Sequence, residues 1–94
     1  MRTIERTSAF KKDYKREAKG KHRNDLDAVL ILVLTALVSD EPLEPRQRDH
    51  DLTGNWSGYR ECHLKSDLLL IYRKPDSESL QLARPGSHSE LFGL

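Results

Sequence analysis

Eleven consecutive residues, 28 to 38, read AVLILVLTALV, with Thr35 the only interruption of an otherwise apolar run. A bilayer span needs about 20 such residues, so this run predicts a helix inside a protein core. Leu26, Val29, Leu30, Val33, Leu34 and Leu37 recur at helical spacing. Ile31 and Leu32 are apolar as well, so the helix is expected to be buried on more than one side. Asn24 offers an N-cap, and Asp25 and Asp27 put negative charge in the first turn, where the helix dipole favours it. The prolines of SDEPLEPRQR end the helix and send the chain across the surface.

A chain of 94 residues has room for one core around that helix, so residues 1–94 are expected to form a single domain. The lone cysteine, Cys62, excludes an internal disulfide. MRTIERTSAF lacks the apolar centre of a signal peptide. Together these features predict a soluble, cytoplasmic protein with no membrane partner.

The rest of the chain alternates in texture. RTIERT at residues 2–7 can form a short first strand. Ser8 then caps a helix on which Phe10, Tyr14 and Ala18 line one face, and Gly20 supplies its stop. From Tyr59 onward the pattern is that of strands: YRECHLK and LLLIYRK flank Ser66-Asp67, a two-residue gap that reads as a hairpin. LQLAR is a further strand, and GSHSELF can close with a helical turn. The order β-α-α-β-β-β predicts an α+β domain, with both helices packed on one face of an antiparallel sheet.

The net charge of +1 conceals an asymmetry. Residues 1–24 hold nine Lys or Arg against three acids, and residues 25–94 hold seven against twelve. Lys11, Lys12, Lys15 and Arg16 cover the outer face of the first helix. Such a run is either a solvated helix face or a phosphate-facing patch.

Four histidines occur, His22, His50, His63 and His88. His22 is most simply a surface residue. Strand alternation puts Cys62 and Leu64 inside, so His63 points with Tyr59, Glu61 and Lys65 toward solvent or a cleft. His63, Asp67 and Arg84 can face a common cleft on neighbouring strands, with His50 and His88 approaching from flanking segments. Imidazole exchanges protons near neutral pH, a neighbouring carboxylate orients it, and an arginine offers a fixed fork to phosphate oxygens. Metal-free RNA cleavage needs this set: a base for the 2′-hydroxyl, an acid for the leaving 5′-oxygen, and a cation for the phosphorane. Phe92 can stack on a base or anchor the tail to the core. No zinc motif and no second thiol are present, so neither a metal nor another cofactor is expected.

Three segments matched in order, L-x-G-x-W-x-G-x-R from Leu52, H-x-x-x-D-x-x-L-I-Y from His63 and R-x-G-x-H-x-x-L-F from Arg84, resemble the YafQ branch of the RelE-like toxin superfamily. SAFKKDYKR is similar to the first helix of those proteins. The resemblance implies the toxin of a type II toxin–antitoxin pair, a ribosome-dependent endoribonuclease that cuts translated mRNA in the A site of the 70S ribosome. It also implies neutralisation by a cognate DinJ-like antitoxin, with operator DNA bound only through the antitoxin complex. Carried onto this chain, the catalytic positions fall on His50, His63, Asp67 and His88. His88 would be the general acid, Asp67 or a histidine the base, Arg84 the phosphate-stabilising cation and Phe92 the aromatic that places the nucleotide. Lys11, Lys12, Lys15 and Arg16 would meet ribosomal RNA. Leu68 stands where an aromatic is usual, and Pro85 where threonine is usual.

Two other functions suit the same architecture. A ParE-like toxin inhibits DNA gyrase by binding and has no need of His50, His63, Asp67 and His88 together. A small interaction module would carry its histidines incidentally. All three readings share one fold, and the nuclease reading requires the tail RPGSHSELF to be pinned against the sheet beside His63 and Asp67.

Overall fold

The computed structural model describes residues 1–93. Strand β1 (Thr3–Arg6) is followed by helices α1 (Ser8–Glu17) and α2 (Leu26–Val38), a two-residue strand β2 (His50–Asp51), then β3 (Arg60–Lys65), β4 (Leu68–Arg73), β5 (Ser79–Gly86) and a closing helix α3 (His88–Phe92). The five strands form one sheet in the order β1-β5-β4-β3-β2. The α+β class and the placement of both long helices on one face match the expectation. Two details were not legible beforehand. His50–Asp51 adds an edge strand, and β1 joins β5 in parallel while every other pair is antiparallel. Long-range pairing between the two ends of the chain leaves no trace in local pattern.

The central strand β4 is buried on both faces, which is why LLLIY reads as a continuous apolar run without alternation. Leu68, Leu70 and Tyr72 pack with Cys62, Leu64, Leu80 and Leu82 under α1 and α2, against Phe10, Leu26, Leu30, Val33 and Leu37. Leu69 and Ile71 point to the opposite face, where Ala83, Leu91, Leu52, Trp56, Tyr59 and Phe92 cover them. The β3–β4 hairpin turns at Ser66-Asp67 as the spacing predicted, with a register shift between His63 and Lys65.

Helix α1 is capped by Thr7 rather than Ser8: the Thr7 hydroxyl accepts from the Phe10 N–H at 2.9 Å and donates to the Ala83 carbonyl at 2.7 Å. The second helix corrects a larger expectation. Ile31 and Leu32 are 62% and 69% exposed, so α2 is buried along one side only. A single sheet lies beneath it and takes Leu26, Leu30, Val33 and Leu37; periodicity reports which face is apolar, not what covers it. Its cap also moves one residue, from Asn24 to Asp25. Among the described residues no helix is long and apolar enough to cross a membrane.

Candidate active site

The face of the sheet opposite α1 and α2 carries the polar groups, and its assembly begins with β2. His50 sits in register with Glu61, and Asp51 with Arg60. Arg60 grips both neighbours of His50, donating to Asp49 at 3.1 Å and to Asp51 at 2.6 Å. The Tyr72 hydroxyl donates to the same Asp49 oxygen at 2.5 Å. Two residues of ladder are thus reinforced by three side-chain bonds, and His50 is held over β3. The first of the three sequence segments serves this delivery. Gly54 and Gly58, at φ of 66° and 89°, make the tight path from β2 into β3. Between them Trp56 meets Tyr59 edge to face at 5.2 Å.

Glu61 occupies the space between two histidines. Its Oε1 lies 3.3 Å from His50 Nε2 and 3.6 Å from His63 Nε2. The Glu61 and His63 side chains are only 6% and 10% exposed, so their interaction is little screened by solvent. Burial pushes the His63 pKa below its ordinary range, with the Glu61 carboxylate opposing that shift. The outcome is an imidazole that stays neutral near pH 7 and able to accept a proton. Sequence phase put Glu61 on the correct face, but nothing in the pattern announced that a buried carboxylate would join two histidines.

His88 enters from the other side as the first residue of α3. Ser87 caps that short helix and Glu90 closes the capping box, so the turn after Gly86 has one defined exit. The Asp67 Oδ1, at the β3–β4 turn, accepts from the His88 backbone N–H at 3.0 Å and meets His88 Nδ1 at 2.7 Å. The backbone bond, and next the side-chain bond, hold the Asp67 carboxyl below the usual carboxylate range. A carboxylate so placed fixes the orientation of the ring through Nδ1. The His63 and His88 rings stand 5.6 Å apart at 64°. Arg48, Asp49, His50, Glu61, His63 and His88 line one open cleft of about 470 Å³. The tail is pinned where the nuclease reading required it.

Other expected residues lie elsewhere. Arg84 is bound by Asp13 of α1, at 2.5 Å from Nε and 3.2 Å from Nη2. Arg16 was expected on the free basic face with Lys11, Lys12 and Lys15. Its guanidinium lies instead against Asp13, Glu17 and Glu90, where α1 packs along β5, although the side chain stays 41% exposed. Lys11, Lys12 and Lys15 are exposed, and Lys11 and Lys15 border a groove between α1 and α2. Phe92 is half-buried over the second apolar cluster and shares a shallow depression with Leu52, Trp56 and Leu91. Cys62 is fully buried, and burial pushes its thiol pKa up, which removes it as a nucleophile. One ligand atom from each of Glu61, His63 and His88 lies within 4.8 Å of the others, a donor set able to hold a divalent transition metal.

Comparison with known proteins agrees with this fold. A model of the family described as the bacterial toxin of type II toxin–antitoxin systems, YafQ, matches residues 2–93. The mRNA interferase toxin YafQ of Escherichia coli K12 is 36% identical over 93 residues, covering 99% of this chain and 98% of that protein. Among solved structures, the toxin in the E. coli DinJ–YafQ toxin–antitoxin complex superposes with a TM-score of 0.83 at 36% identity, covering 98% of each chain. A metal-bound toxin from Helicobacter pylori reaches a TM-score of 0.79 at 42% identity, covering 98% of this chain and all of the other.

Proposed function

This chain belongs to the YafQ family of bacterial type II toxins, and from that premise we propose that it is an mRNA interferase cutting translated message on the ribosome by histidine acid–base catalysis. The observation that carries the reading is the polar chain Asp67–His88–His63–Glu61–His50 around one cleft. His63, neutral through burial, takes the proton of the ribose 2′-hydroxyl. The 2′-oxygen attacks the adjacent phosphorus, and the bond to the 5′-oxygen breaks as that oxygen takes a proton from His88. Asp67 holds the His88 ring in place for that transfer. The products are a 2′,3′-cyclic phosphate and a free 5′-hydroxyl. Arg84 supplies positive charge to the phosphorane, and Phe92 borders the nucleotide's path. His50, through Glu61, tunes the base.

Lys11, Lys12 and Lys15 provide the exposed charge that ribosomal RNA attracts. The E. coli relative is seen bound to DinJ, and a DinJ-like antitoxin is the partner this reading assigns. A divalent ion held by Glu61, His63 and His88 would occupy both proton-transfer groups and act as an inhibitor rather than a cofactor. The test is a translation reaction with wild type and His88→Ala, in which mRNA 5′ ends are mapped by primer extension. Codon-phased cuts with wild type alone are expected. Cuts of equal strength with the variant would remove His88 from its role, and no cuts with either would end the nuclease reading.

A further inference from the structure

Asp13 is an acid in the middle of a basic helix, and it is only 3% exposed. Taking a carboxylate out of water costs several kcal/mol, and a buried ion pair seldom returns more than that. Stability alone is therefore a poor explanation for Asp13. Geometry offers a better one.

The Asp13 carboxylate meets Arg84 side-on, one oxygen at Nε and the other at Nη2. A guanidinium has five N–H donors in a planar fork. This grip takes two of them along one edge, and Nη1 has no hydrogen-bond partner among the described residues. The opposite edge is left intact, with the parallel N–H pair that matches two phosphate oxygens. Arg16 locks the carboxylate in turn, donating to Asp13 Oδ1 at 2.8 Å, while its Nε meets Glu17 and Glu90, each at 2.9 Å. Glu90 belongs to the helix that starts with His88. Gly86 permits the close approach, since a Cβ there would lie 3.1 Å from both Arg16 Nη2 and Leu91 Cδ2. Arg84 stands two residues before Gly86, whose register partner Leu69 is itself opposite His63. The fork is thus anchored at the histidine end of the sheet.

We propose that Asp13 is a positioning residue for RNA cleavage: it orients Arg84 edge-on, so that the free edge of the guanidinium meets the scissile phosphate. This rests on the function proposed above, and within it assigns to α1 a part in catalysis distinct from its lysines.

The test measures single-turnover mRNA cleavage on programmed ribosomes, with ribosome affinity and Tm followed in parallel. Asp13→Asn should lower the cleavage rate by about 10²-fold, the scale expected when a reacting group is misplaced, with ribosome affinity unchanged. Adding Asp13→Asn to Arg84→Ala should change nothing further. Arg84→Lys keeps a cation on Asp13 and so keeps the fold. Its ammonium is a single point of charge held at Asp13 and has no second edge to offer two phosphate oxygens, so it should cleave no better than Arg84→Ala. Wild-type cleavage by Asp13→Asn, an equal further loss in the Arg84→Ala background, or substantial cleavage by Arg84→Lys would each overturn the inference while leaving Arg84 catalytic. Full cleavage by Arg84→Ala would overturn the assignment of Arg84 and the inference with it.

Discussion

Replacing Glu61 with glutamine tests the electrostatics of the cleft most directly. Glutamine keeps the shape and can still accept from His50, so the change is nearly one of charge alone. The carboxylate lies 3.6 Å from His63 Nε2 with both side chains almost wholly buried. Coulomb's law at that separation gives about 5 kcal/mol at an effective dielectric constant near 20 and about 1 kcal/mol in bulk water. Either figure is large enough to matter for a titrating ring, so losing the charge should lower the His63 pKa further. Glu61 opposes the downward push of burial, so removing it lets burial act unchecked. Two assays read the result. Titration of the His63 ring by NMR should show the fall directly. The acid limb of the pH–rate profile for mRNA cleavage should move to lower pH by the same amount, and the plateau rate should drop because a weaker base accepts the 2′-hydroxyl proton. An unmoved ring pKa would refute the electrostatic argument. A moved ring pKa with an unmoved acid limb would show that the base is not His63.

Two further predictions concern the frame that holds the site. Asp40 is hydrogen-bonded first by Lys74 and then by Arg2, which hold its pKa down at about 2. That support is present above the ordinary carboxylate pKa and lost as pH falls through about 2. Asp40→Asn, which suits the left-handed backbone at φ 56°, should flatten the acid side of a Tm-versus-pH curve and lower Tm at neutral pH. Thr7→Ala removes both the α1 cap and the bond to the Ala83 carbonyl, so urea unfolding should show a loss of about 1–2 kcal/mol; no loss would mean that water replaces both contacts.

The readings that succeeded from sequence were local. The Ser66-Asp67 gap fixed a hairpin because turn length dictates register. Alternation along RECHLK separated Cys62 and Leu64 from Glu61 and His63, and the structure keeps that division. What escaped depended on partners far away in the chain. The parallel docking of β1, the Arg60 clamp on Asp49 and Asp51 that delivers His50, and the pairing of Arg16 with Glu90 each join segments whose local patterns are ordinary. Arg16 shows the limit most plainly. It looked like Lys11, Lys12 and Lys15 in charge and spacing, and only the packing of α1 against β5 separates it from them. Asp13 did leave a signal, an acid three residues before an arginine in an otherwise basic helix, but local pairing would have explained it equally well.

The buried charges fit a functional site where α1, β5 and the histidine-bearing strands meet. Among the described residues three acids are buried, Asp13, Glu17 and Glu61. Each holds a cationic or titratable side chain at one end of the sheet: Asp13 holds Arg84 and Arg16, Glu17 holds Arg16, and Glu61 holds His50 and His63. A chain this short has little stability to spare, and apolar replacements for buried ion pairs are often neutral or stabilising. The collection of these acids around the histidines and the arginine fits groups whose orientation matters more than their contribution to folding. Helix α1 carries both kinds of charge, basic side chains on its outer face and two of the three buried acids on its inner face.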